Sequence, residues 1–360
     1  MLGAPNICHM RCAATVLLTA GAVATAACSG ADSAPASVAP VSAATVPITA
    51  ASSTPTTELM DAPTVVVDGR GVEVVVESAE RIIPLDGDLA EIVFALGLGD
   101  QVVATDLSAT FPPAADAKPE IGYQRALAAE PILEYEPTVL LATDIAGPPE
   151  TLADLERLGI PLVMVPTPSN SDGPGTKIRA VAAALGVEDV GDALAAQVDA
   201  DIDSVIASVP ARDTPPPLVA PLYLRGKSIQ LVLGTQMSIS WMLEVLAVDN
   251  VANLLGVAET EPINIEALIE LQPDVIITTQ SGLASVGGID GLLEIPGFVE
   301  TPAGEQRRIL AFEDQYLLGN GPRTADLLAE LAAKLHGPDA VTEVSTGTDS
   351  SPTPAEGTDQ

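Results

Sequence analysis

Beyond residue 28 the chain has no cysteine; Cys8, Cys12 and Cys28 all lie at its start. A disulfide framework and a thiolate metal site are therefore excluded from the folded part. Histidine is as scarce. His9 and His336 stand at opposite ends, so a serine–histidine catalytic triad has no base in the middle of the chain. Aromatic residues amount to four Tyr, four Phe and one Trp, so the place of each tyrosine is informative. Basic residues are outnumbered, 15 Lys and Arg against 49 Asp and Glu, and the formal charge is −34. Such a surface repels phosphate backbones, which excludes nucleic acid as a partner. It also repels anionic head groups, so membrane attachment must be covalent or hydrophobic. A phosphate-cradling glycine loop is missing too.

What is present begins with an address. Residues 1–27 have a weakly basic start (His9, Arg11) and then an apolar, small-residue run, the pattern of a secretory signal. It ends Thr25-Ala26-Ala27-Cys28, which resembles a bacterial lipobox and marks Cys28 for lipid attachment at the outer face of the cell membrane. Residues 28–62 are rich in Ala, Ser, Thr and Pro and read as a disordered tether with a reach of roughly 30 Å. Residues 337–360 read as a disordered acidic tail.

Between them the pattern is α/β. Thr64 to Val67 and Val72 to Val76 flank Asp68-Gly69-Arg70-Gly71, a hairpin signal. Asp88 is placed to cap a helix over Leu89 to Leu96. Continuous apolar runs at Val139 to Ala142, Leu162 to Val165 and Val275 to Thr278 predict strands buried on both faces. Helices are expected over Ala126 to Tyr135, Glu150 to Leu158, Ile239 to Leu246, Ile265 to Leu271 and Thr324 to Leu335. A long helical pattern covers Thr176 to Val209, with a break near Gly186. The divisions expected are a first lobe at 63–175, a connecting helical segment at 176–210 and a second lobe at 211–336. One unit occurs twice. Ala129 to Asp144 aligns with Ile265 to Gln280, sharing Glu130/Glu266, Glu134/Glu270, Pro137/Pro273, Val139/Val275 and Thr143/Thr279. The fold class is thus two similar α/β lobes with central, mostly parallel sheets, joined by one long helix.

Tyr-x-Arg also occurs twice, at Tyr123-Gln124-Arg125 and Tyr223-Leu224-Arg225, once per lobe. Loops at the ends of parallel strands are where α/β proteins bind ligands. Ferric iron is a hard ion and phenolate a hard oxygen donor. A guanidinium two residues away favours the phenolate and also suits a carboxylate. A tyrosine at a strand end is equally an ordinary half-buried packing residue, and both arginines have many acids to pair with. Tyr135 and Tyr316 read as structural, and Met237, Trp241 and Met242 as a core helix.

The run Gly122-Tyr123-Gln124-Arg125-Ala126-Leu127, with Ala129-Glu130 and Pro137 before an apolar strand, resembles the haem-binding proteins of bacterial haem ABC importers, the HmuT type of the class III periplasmic binding proteins. Ala128 and Pro131 depart from that family's Ser and Gly. The resemblance runs from about Arg81 to His336. It implies a monomeric, non-enzymatic haem binder that hands its cargo to an ABC permease and its ATPase. It assigns Tyr123 and Tyr223 as haem iron ligands, and Arg125 and Arg225 as propionate or tyrosinate partners. Acidic docking residues, one per lobe, fall on Glu150 and Glu294. A ferric-siderophore or corrinoid cargo is the alternative within this class. A secreted enzyme or an adhesion protein on the same scaffold is the alternative outside it.

Overall fold

The computed structural model describes residues 63–210 and 215–337; the expected signal, the tether with Cys28, and the acidic tail lie outside them. In chain order its strands are β1 (Thr64–Val67), β2 (Glu73–Val76), β3 (Ile82–Pro84), β4 (Val139–Ala142), β5 (Leu162–Met164), β6 (Leu218–Arg225), β7 (Ile229–Val232), β8 (Asp249–Asn250), β9 (Glu261–Pro262), β10 (Val275–Thr279) and β11 (Ile309–Phe312). β1 and β2 form the hairpin. Its turn is closed by the Asp68 carboxylate, which accepts from the backbone N–H groups of Arg70 (2.9 Å) and Val72 (3.1 Å). Burial pushes Asp68 upward, but the Arg70 side chain and these N–H groups outweigh it, and the carboxyl ends below its ordinary value.

In the first lobe β3, β4 and β5 run parallel with β4 central, and parallel bridges at Ile82–Val102 and Thr105–Glu120 extend the sheet. In the second, β10 lies parallel between β11 and β6, while β7 and β9 complete an antiparallel flank. The continuous apolar runs have the expected cause. Along β4, Val139 and Leu141 face one core while Leu140 and Ala142 face another. Along β10, Val275 and Ile277 face the first of these cores and Ile276 a third. Both sheets thus share one central core and each has its own outer core, as strands covered on both faces require.

The joining region is two helices, Gly173–Leu185 and Glu188–Ser208. They break at Gly186, whose φ of 68° ends the first helix in the left-handed region. The second has 21 residues, a length of about 31 Å. Its Val198, Ile202 and Val205 enter the central core together with Leu328 and Leu331 of the C-terminal helix Thr324–His336. Trp241 and Met242 lie in this core, as read from the sequence.

Two local expectations are corrected. Asp88 does not cap its helix, Gly87–Ala95; it sits in the first turn, buried, and its carboxylate pairs with Lys177. The helix expected over Ala126 to Tyr135 is confined to Ala129–Leu133. Ala128 stands at its N-cap without a side-chain acceptor, and the preceding residues are committed to the turn described below.

Candidate functional site

Ile121 N donates to Thr105 O and Leu107 N donates to Gly122 O, both at 2.9 Å, so the segment before Tyr123 continues the first lobe's sheet at its carboxyl end. Gly122 has a φ of 107°, a conformation that side chains rarely take, and it turns the chain out of the sheet. Ala126 N then donates to Tyr123 O (2.8 Å), closing a turn over Tyr123–Ala126 that leaves Tyr123 half-buried and Arg125 exposed. The Gly147 N–H donates to Gln124 O, and the Gly147 carbonyl accepts from Leu127 N, both at 2.8 Å. Asp106 accepts from Ser108 N (2.9 Å), from Ser108 Oγ (3.0 Å) and from the Gln124 backbone N–H. The tyrosine turn is therefore pinned on two sides by loops that follow neighbouring strands.

In the second lobe Tyr223 and Arg225 lie two residues apart on β6, hence on one face, while Leu222 and Leu224 enter the outer core. Tyr223 is half-buried against the central core, and Arg225 is exposed at the strand end beside the β6–β7 turn. Burial raises the Tyr223 pKa first. Tyr123 and Asp314 raise it further, and Arg225 and Arg125 pull it down. Five groups from two lobes thus share one electrostatic neighbourhood. Two phenols, two guanidinium groups and one carboxylate can bind an anionic ligand and offer oxygen donors to a metal centre within it. Among the described residues no cluster of three His, Cys, Asp or Glu side chains is arranged to hold a free ion.

The docking candidates lie apart from this centre in the chain. Glu150 is exposed in the first turn of the helix Pro149–Arg157, where negative charge is favoured. Glu294 follows the second of two short helices after β10, at that helix's C-terminal cap. There negative charge is disfavoured, and Lys227 pairs with it at 2.7 Å. Tyr135 and Tyr316 are part-buried against the cores, in line with a structural reading.

Sequence reasoning missed several groups. Asp314 follows β11 and accepts from Ser281 N (3.1 Å) and Ser281 Oγ. The acidic pair Glu313-Asp314 just after a parallel strand was a usable signal for it. Nothing local marks Asp106, nor Gln315, nor Arg323, which meets Glu91 through two hydrogen bonds (3.0 and 2.8 Å) and stacks 3.8 Å from the Phe111 ring centre.

A family model described as "Periplasmic binding protein" matches residues 82–316. Among solved structures, the periplasmic heme-binding protein RhuT from Roseiflexus sp. RS-1, in apo form, is 46% identical, covers 73% of this chain and 99% of its own, and superposes with a TM-score of 0.69. The heme binding protein HmuT is 32% identical over 76% of this chain and 90% of its own, with a TM-score of 0.70. Among curated proteins, a vitamin B12-binding protein of Vibrio cholerae serotype O1 is 25% identical over 71% of this chain and 89% of its own.

Proposed function

Because this chain belongs to the periplasmic binding protein family, whose model spans residues 82–316, we propose that it binds ferric haem outside the cytoplasm and delivers it to an ABC importer. The observation that carries this reading is the Tyr-x-Arg at a sheet's carboxyl end in each lobe, with Tyr123, Arg125 and Arg225 all acting on the charge state of Tyr223. Phenolate oxygen suits Fe(III), and guanidinium suits the propionates. In this reading Tyr123 and Tyr223 are the iron ligands, and the arginines hold propionates or favour tyrosinate. The likeness to RhuT and HmuT, both named as haem binders, supports the same cargo. The protein acts as a carrier, without catalysis, and as a monomer. Cys28 carries the lipid that keeps it at the outer face of the membrane; Cys28→Ser should move it from the membrane fraction to the medium, and a parent protein that is wholly soluble would remove this claim.

A corrinoid is the second reading, favoured by the similarity to the V. cholerae vitamin B12-binding protein. Titration of the purified protein with ferric haem and, separately, with cyanocobalamin decides between them. Haem should bind with a Soret band. Tyr123→Ala should weaken it by about tenfold or more, and Tyr223→Phe should change the spectrum with a smaller loss. Binding of cyanocobalamin alone would replace haem by the corrinoid. Parent-like spectra from both tyrosine variants would remove the ligand assignment.

A further inference from the structure

The side-chain amide of Gln315 joins the two lobes, and we infer that Gln315 is a positioning residue that fixes the separation of Tyr123 and Tyr223. It stands on the short second-lobe helix Asp314–Leu318 and is almost wholly buried. Its Oε1 accepts from the backbone N–H groups of Thr110 (2.8 Å) and Phe111 (2.9 Å) in the first lobe. Its Nε2 donates to Gly87 O (2.9 Å) and to Glu91 Oε2 (3.0 Å), again in the first lobe. Thr110 Oγ1 also donates to Oε1 (3.1 Å) and Nε2 also reaches Phe111 O (3.3 Å), so every side-chain hydrogen bond of the amide is made to the first lobe. Glu91 is itself held by Arg323 of the second-lobe side.

Each end of this bridge runs on to a tyrosine. On one side, Thr110 and Phe111 end the loop whose Leu107 N–H holds Gly122 O and whose Asp106 accepts from Gln124 N–H, one residue to either side of Tyr123. On the other, Asp314 is fastened to Ser281 after β10 and is one of the charges that act on Tyr223. A bound ligand shared by both tyrosines needs their spacing set before it arrives, because ordering the walls on binding would subtract from affinity. The bridge does this with buried and part-buried hydrogen bonds; its removal takes from the Phe111 N–H its acceptor and from Thr110 and Glu91 one partner each.

This inference deepens the haem reading and rests on it for the ligand. Gln315→Met keeps side-chain length and removes the hydrogen bonds of the amide. Hydrogen exchange on the full chain without haem should then speed up at the Thr110, Phe111 and Leu107 amides. Haem affinity should fall by about tenfold, with a changed ligand-field spectrum. In a Tyr223→Phe background the same substitution should cost much less, since there is no second ligand left to place. Gln315→Glu, which retains the acceptors and turns a carboxylate on Glu91, should fall in the same direction. Unchanged exchange overturns the bridge, whatever the cargo is. An equal affinity loss with and without Tyr223 overturns the positioning role and leaves a merely structural one. A parent protein that fails to bind haem overturns the haem reading, and the exchange result still decides the bridge.

Discussion

Asp86, Glu91 and Asp106 are buried carboxylates of the first lobe, and each titrates above its ordinary value with burial as the leading cause. Asp86 is raised further by Asp88, against a hydrogen bond from Thr143; Glu91 is held back by Arg323; Asp106 reaches about 6 from 3.8 despite its bonds from Ser108. A carboxyl raised in the folded state binds its proton more tightly there than in the unfolded chain. Its stabilising effect is complete below the unfolded pKa and is lost as pH rises through the folded one. For Asp106 alone the window from 3.8 to about 6 is worth about 3 kcal/mol at most. The melting temperature should therefore be higher at pH 5 than at pH 7.5, and Asp106→Asn should flatten the profile. A protein that loses stability on going from pH 7.5 to pH 5 would contradict this account of the three acids.

The repeated element shows why a backbone detail recurs. The helices Ala129–Leu133 and Ile265–Leu271 each lead through one left-handed residue and a proline into a central strand. Glu136 has a φ of 43° and Gln272 one of 52°, and both stand directly before the prolines at 137 and 273. The residue before a proline is disfavoured in the helical conformation, so the helix must stop there and turn. A residue with a Cβ is strained in that region. Glu136 is exposed, so Glu136→Gly should stabilise the protein by about 0.5–1 kcal/mol in urea unfolding. Gln272 differs because its amide donates to Glu300 O (3.0 Å) and to Ile269 O (2.6 Å). Gln272→Gly should bring no such gain. Equal stabilisation at both sites would mean that these side-chain bonds carry no weight.

For the whole molecule, the shared core running through both lobes and the joining helices opposes a wide hinge motion, so in the proposed carrier role a permease would meet a nearly fixed surface. We propose Glu150 and Glu294 as the docking acids. Exposed charges mostly set encounter and orientation, and the Lys227 pair at Glu294 is exposed, so exchanging it for a permease arginine costs little. The double variant Glu150→Ala, Glu294→Ala should bind haem normally yet fail to stimulate the ATPase activity of the importer in reconstituted vesicles. Full stimulation would assign docking to other acids.

The lobes, the repeat and both Tyr-x-Arg motifs were legible in the sequence because they rest on short-range patterns. Apolar runs mark strands covered on both faces, helical spacing and Gly186 mark the broken joining helix, and Pro137 and Pro273 mark the same junction twice. Short helices such as Gln280–Ser285 and Asp314–Leu318 were not, since pieces of one or two turns carry too few residues for a period to show. Asp88 looked like a helix cap because capping is local; burial beside Lys177, far along the chain, decided its partner instead. Gln315 gave no sign at all, because its bonds to Gly87 and Glu91 span 228 and 224 residues. What the sequence determined by itself was which residues form the longer elements and that a Tyr-x-Arg stands at the carboxyl edge of each lobe. The meeting of those edges was left to the tertiary structure, because the desolvation and charge that Tyr223 feels come from groups on both lobes, and no spacing along one segment encodes them.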